Sequence, residues 1–132
     1  MSHAIASLGT AIVFFALDYL WLARIAGPFY RERLGTLMAD EVNFAVAGAF
    51  YAVYVVGIVI FAVAPALRSG QWQDALLYGC LFGFFAYATY DFTNLATLRN
   101  WPLDVTIIDV AWGTFVTGVS ATSAFLVARS FA

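Results

Sequence analysis

The chain has 132 residues, of which 64% are hydrophobic, 18% aromatic and only 11% charged. Soluble domains use roughly 45–50% apolar and about 25% charged residues, so this composition excludes an ordinary soluble domain and indicates a polytopic membrane protein. The net charge is −2 and the chain has six arginines and no lysine, so it lacks the clustered positive charge that binds nucleic acid. The lipid bilayer is the expected partner.

Four stretches are apolar and long enough to cross a bilayer, which takes about 20 residues. They predict an all-α, integral membrane four-helix bundle that forms a single transmembrane domain over residues 1–132, with helices near 4–26, 43–67, 75–98 and 105–127. Because proline and glycine break helices, Gly27-Pro28 is expected to end the first helix and Pro65 with residues 68–70 the second. Asp104 is expected to cap the fourth helix.

The arginines predict the orientation in the membrane. Arg68 and Arg129 flank one face of the predicted bundle, and the other four flank the first and third connections: Arg24, Arg31, Arg33 and Arg99. By the positive-inside rule these connections are cytoplasmic and both termini are non-cytoplasmic. The amino terminus lacks the basic region of a cleavable signal, so the first apolar stretch is expected to remain in a mature, multi-pass protein. The bias of four to two leaves a dual topology open.

The first connection carries a short amphipathic pattern. Tyr30, Leu34, Leu37 and Met38 recur at positions i, i+4, i+7 and i+8. This spacing predicts a short interfacial helix between helices one and two. Such a helix either covers a site beneath it or is only a connector on the membrane surface.

Three aspartates, Asp18, Asp91 and Asp109, stand inside the first, third and fourth apolar stretches. At about 1.5 Å per residue they lie roughly 12, 10 and 7 Å from the helix ends on the predicted cytoplasmic side, so their carboxyl groups are expected at one level. A carboxylate within a span costs about 2.5–3.5 kcal/mol, whereas a polar contact between helices contributes about 0.6 kcal/mol. These magnitudes favour a functional site over a role only in holding the helices together. All three aspartates are candidate catalytic groups.

Polar and aromatic side chains accompany the aspartates. On the third helix Tyr87, Asp91 and Asn94 stand at positions i, i+4 and i+7, and on the first and fourth helices a tryptophan stands three residues after each aspartate. The predicted ligand-binding set is Asp18, Trp21, Asn43, Tyr87, Tyr90, Asp91, Asn94, Asp109 and Trp112. A carboxylate cluster is able to hold a divalent ion through oxygen ligands, but no metal site is assigned and the cofactor is unknown.

Several segments together resemble one family. Residues 87–98 read YATYDFTNLATL, residues 101–102 read WP, residues 109–113 read DVAWG, and residues 18–21 read DYLW. This set resembles the signature of a bacterial membrane family, domain of unknown function 2177, over nearly the whole chain. The resemblance implies a four-helix, multi-pass protein of the bacterial inner membrane without a particular reaction, and it slightly favours a lipid-related role.

Three functions fit the sequence. The favoured one is a binding or transport protein whose acidic and aromatic pocket opens to the cytoplasmic side and takes a small, cationic or lipidic ligand, or a proton or cation. Four helices leave little room for an alternating pathway, so transport would require a homodimer. The second is an intramembrane lipid-modifying enzyme that uses aspartate acid/base chemistry. The third is a structural subunit of a membrane complex.

Overall fold

The computed structural model describes residues 2–39, 41 and 43–131, and these are helical apart from short connections. Four helices are long and apolar enough to cross a membrane; in chain order they are called the first to fourth spans: His3–Leu37, Phe44–Ser69, Trp72–Thr97 and Leu103–Ser130. The described residues form no β-strand. The predicted all-α fold with four membrane-spanning helices is confirmed.

The first span runs further than the sequence indicated. A π-helical turn, Leu22–Ala26, joins the α-helix Ser2–Trp21 to a second α-helix, Gly27–Leu34, which continues in a 3-10 turn. Gly27-Pro28 therefore does not end the helix, because a proline in the first turn of an α-helix needs no backbone hydrogen bond. A Cβ atom on Gly27 would overlap the carbonyl oxygen at the start of the π turn. The predicted interfacial helix is the continuation of this span.

The second span has the same arrangement. The π turn Val59–Val63 separates the α-helices Phe44–Ile58 and Ala64–Ser69, and Pro65 is the second residue of the latter helix. The helix continues past Pro65 and ends at Gly70, whose φ of 75° is the left-handed conformation that commonly closes a helix. Gly70 thus ends the helix as predicted, whereas Pro65 does not.

The fourth span begins two residues earlier than predicted. Pro102 takes the N-cap position, and Asp104 stands inside the first helical turn instead of capping it. The Asp104 carboxylate pairs with Arg33 from the end of the first span at 2.7 Å. This ion pair joins the first and fourth spans at one end of the bundle.

The fourth span is the centre of the bundle. Half of its most apolar 18-residue stretch is buried. It packs most extensively on the third span and, to a lesser extent, on the first. Glycines let the third and fourth spans approach closely: a Cβ atom on Gly83 would overlap the Gly113 carbonyl oxygen and lie 2.7 Å from the Thr117 Cβ. Close helix approach through small residues is typical of membrane bundles.

The second span contacts the bundle unevenly. Its π turn, Val59–Val63, packs on the other three spans, whereas residues 43–50 are largely exposed. Because one half is packed and the other is not, a groove remains beside the first span.

Two glycines give a direct test of this packing. Gly83→Ala is expected to destabilise the protein by about 1–3 kcal/mol, because the new methyl group has no space between the third and fourth spans. Gly48→Ala is expected to be neutral or stabilising by up to about 1 kcal/mol, because a Cβ atom there meets nothing within 4 Å and alanine favours the helix. Thermal unfolding in detergent measures both, and shifts of the same sign would contradict the packing described.

Candidate functional site

The Asp18 carboxylate is the meeting point of three spans. Its side chain is 5% exposed on the first span. Tyr51 of the second span donates its hydroxyl to Asp18 Oδ2, and Trp112 of the fourth span donates its indole N–H to Oδ1 at 3.1 Å. Hydrogen bonds to a charged group contribute about 1.5–3 kcal/mol each, so these two donors offset much of the cost of placing the carboxylate inside the membrane.

The Asp109 carboxylate is bound by the continuation of the first span. The Tyr30 hydroxyl donates to Asp109 Oδ1 at 2.7 Å. Tyr30 lies in the α-helix that follows the π turn, so the unbroken first span carries this phenol to the fourth span. Of the two predicted roles for this segment, a cover or a mere connector, the contact with Asp109 agrees with a cover.

Asp91 is the most enclosed of the three acids. Its side chain is 0% exposed, and neither carboxyl oxygen has a hydrogen-bond donor among the described residues. The Asp109 carboxyl group is close enough to interact with it. Two ionised carboxylates only accept hydrogen bonds, so this pair is satisfied internally only when one member carries a proton and donates it to the other.

Neither Trp21 nor Trp112 donates a hydrogen bond to the aspartate of its own helix. Trp21 and Trp112 stack face to face, with ring centroids 4.4 Å apart and an interplanar angle of 6°. Trp112 donates across the bundle to Asp18. The Trp21 nitrogen is buried and has no hydrogen-bond partner within the described chain. The stack therefore joins the first and fourth spans beside the acids.

Other members of the predicted set are placed differently. Tyr87 lies against Gly113, where its ring fills the space of a missing side chain. Tyr90 is 57% exposed and packs edge-on against Trp101, with centroids 5.8 Å apart, so it lies at the margin. Asn43 is exposed and caps the second span. Asn94 is half-buried on the third span.

Two residues that donate hydrogen bonds to the intramembrane aspartates, Tyr30 and Tyr51, are absent from the predicted ligand-binding set. Tyr30 belongs to the amphipathic pattern of the first connection, which predicts a place at the membrane interface. Tyr51 carried a weaker signal: a tyrosine inside an apolar stretch needs a partner for its hydroxyl. Both phenols reach an aspartate on a different span, which a pattern within one helix does not reveal.

A groove of about 480 Å³ lies between the first and second spans. Its inner end contains the hydrogen-bonded pair Asp18 and Tyr51, and its walls are mostly apolar. Tyr19 and Phe44 at its margins are 76% and 80% exposed, so the groove faces the side of the bundle. The residues lining it are Phe15, Asp18, Tyr19, Leu22, Ala23, Phe44, Ala47, Gly48 and Tyr51.

Comparison with known proteins identifies the family of this chain. A family model described as a predicted membrane protein, DUF2177, matches residues 3–126. The chain belongs to the DUF2177 family. No curated protein and no solved structure matches it. Within the described residues, no group of three or more His, Cys, Asp or Glu side chains is arranged to hold a metal ion.

The donors to Asp18 generate a testable prediction. Tyr51→Phe is expected to destabilise the protein by about 1.5–3 kcal/mol, because the buried carboxylate loses one of its two donors. Tyr78→Phe, which removes a hydroxyl from an exposed side chain of the third span, is the matched control and is expected to have little effect. Thermal unfolding in detergent compares the two. Equal stability of both variants would show that the Tyr51 bond does not support Asp18.

Proposed function

We propose that this protein binds an amphipathic, lipid-like molecule in the groove between its first and second spans. The apolar part lies against the groove walls, and a polar, preferably cationic end contacts Asp18. The observation that carries the proposal is the combination of mostly apolar walls with a buried carboxylate at the inner end. A volume of about 480 Å³ is within the usual range of roughly 300–1,000 Å³ for small-molecule sites.

The hydrogen bonding of Asp18 supports a polar ligand end. A carboxylate has about four acceptor positions, and Tyr51 and Trp112 occupy two of them. Their bonds fix the carboxylate before any ligand arrives, which lowers the ordering cost of binding. Aromatic rings of the groove, such as Phe15 and Tyr19, also favour a cation.

The position of the groove favours entry from the bilayer. The sequence predicted a pocket open to the cytoplasmic side, whereas this groove faces the side of the bundle, between two membrane spans. A molecule that already lies in the membrane reaches such an opening directly. This supports a lipidic ligand over a water-soluble one.

Simple amphiphiles test the proposal without a known natural ligand. Dodecylammonium is expected to raise the melting temperature of the purified protein more than dodecanol does, because a ligand that binds only the folded state stabilises it. Asp18→Asn should weaken dodecylammonium binding roughly 10- to 100-fold, the equivalent of a lost charge-assisted contact of about 1.5–3 kcal/mol, and remove its advantage over dodecanol.

Gly48 provides the control for the groove itself. Gly48→Leu is expected to abolish stabilisation by both amphiphiles, because its side chain enters the open groove without disturbing the fold. Ala49→Leu adds the same side chain to an exposed neighbouring position outside the groove and should leave binding unchanged. Equal stabilisation of these two variants would contradict binding in the groove.

The carboxyl pair favours a second candidate function, an intramembrane enzyme that acts on a lipid. Asp91 and Asp109 are neighbours, and Tyr30 donates to Asp109. Two carboxyl groups that share a proton are suited to act as general acid and general base. In this candidate function the two aspartates supply the acid/base chemistry.

A complementation experiment tests this candidate. Deletion of the gene is expected to change the membrane lipid profile, measured by mass spectrometry, and the wild-type gene should restore it. Asp109→Asn should fail to restore the profile at matched expression. Asp74→Asn, a substitution in the first turn of the third span, is the control and should restore it. Full restoration by Asp109→Asn would exclude Asp109 from the reaction.

A further inference from the structure

A second cavity, of about 310 Å³, lies at the opposite end of the bundle from the Arg33–Asp104 ion pair. Three basic side chains line it: His3 from the start of the first span, Arg68 from the end of the second and Arg129 from the end of the fourth. These residues are far apart in sequence, so only the antiparallel fold brings them to one cavity.

The charge in this region is mainly positive. Asp74 is the acidic residue near this end among the described residues, and it forms no ion pair with either arginine there. Arg33 at the other end is instead paired with Asp104. Arg68 and Arg129 thus face a shared cavity without a described carboxylate to neutralise them.

Arg129 is held in place by the protein itself. Its guanidinium donates to the Gly70 carbonyl oxygen and lies over the Phe125 ring, 5.6 Å from the centroid. A guanidinium has five N–H donors, so this single backbone bond leaves four for a ligand. Gly70 adopts the left-handed conformation that closes the second span, which directs its carbonyl group to this position.

Stabilisation of the helix ends by Arg68 and Arg129 does not by itself explain why these arginines line one cavity together with His3. Arg68 and Arg129 each lie in the last turn of a helix, where a cation interacts favourably with the helix dipole. That interaction needs neither a shared cavity nor a third basic residue. The cavity also has apolar walls, including Leu67 and Phe125, beside the cationic groups.

We propose that this cavity binds the phosphate group of an anionic phospholipid through Arg68 and Arg129. Both residues end membrane spans, which places them at the depth of the lipid head groups. Basic residues at this depth attract anionic lipids by about 1 kcal/mol each, and basic pockets between spans bind lipid head groups. The apolar walls then lie beside the acyl chains. This proposal is independent of the groove at Asp18.

Lipid binding to the purified protein tests the proposal. Phosphatidylglycerol is expected to bind more tightly than zwitterionic phosphatidylcholine, as measured by native mass spectrometry and by thermal shift. Arg68→Gln should weaken phosphatidylglycerol binding roughly fivefold, the equivalent of about 1 kcal/mol. Arg24→Gln replaces an exposed arginine of the first π turn, away from this cavity, and should leave the affinity unchanged.

Arg68→Gln leaves the Arg129 contacts with Gly70 and Phe125 intact, so loss of folding is not expected. Inorganic phosphate that stabilises the wild type but not Arg68→Gln would support the same site with a free anion as ligand. Equal affinity of wild type and Arg68→Gln for phosphatidylglycerol, or equal binding of both lipids, would overturn the proposal.

Discussion

The structure depends on the hydrogen bonds that two carboxylates inside the apolar bundle, Asp18 and Asp109, accept from donors on other spans. Asp18 receives a phenol from the second span and an indole from the fourth, and Asp109 receives a phenol from the far part of the first span. Each bond avoids the free-energy cost of an unpaired buried charge. The same bonds join the first, second and fourth spans through the polar side chains.

The two π turns explain the course of the first and second spans beside these polar residues. In each case a proline follows the turn without ending the helix. The first turn lets the first span continue until Tyr30 reaches Asp109. The second turn forms the part of the second span that packs on the bundle, and the opposite half of that span remains exposed. The groove beside Asp18 is a consequence of this uneven packing, and π turns are frequent at functional sites.

The sequence was sufficient for features that depend on composition and on the regular rise of a helix. Four apolar stretches predicted four spans, and the structure has four helices long and apolar enough to cross a membrane. It was insufficient where tertiary contacts decide. Gly27-Pro28 resembles a helix end, because a π turn that tolerates proline leaves no recognisable pattern. The partner of Trp112 could not be read from Asp109 three residues earlier, because the indole turns towards Asp18 on another span. Tyr51 was missed for the same reason.

The central claim is that the intramembrane acids form one interacting cluster. A double-mutant cycle on Asp91→Asn and Asp109→Asn, read by thermal unfolding in detergent, measures their interaction directly. Neighbouring carboxyl groups should show a coupling of about 0.5–3 kcal/mol, whereas distant sites are additive within roughly 0.5 kcal/mol. The account predicts coupling for Asp91 with Asp109 and additivity for Asp91 with Asp74. Additivity of the Asp91 and Asp109 substitutions would contradict it.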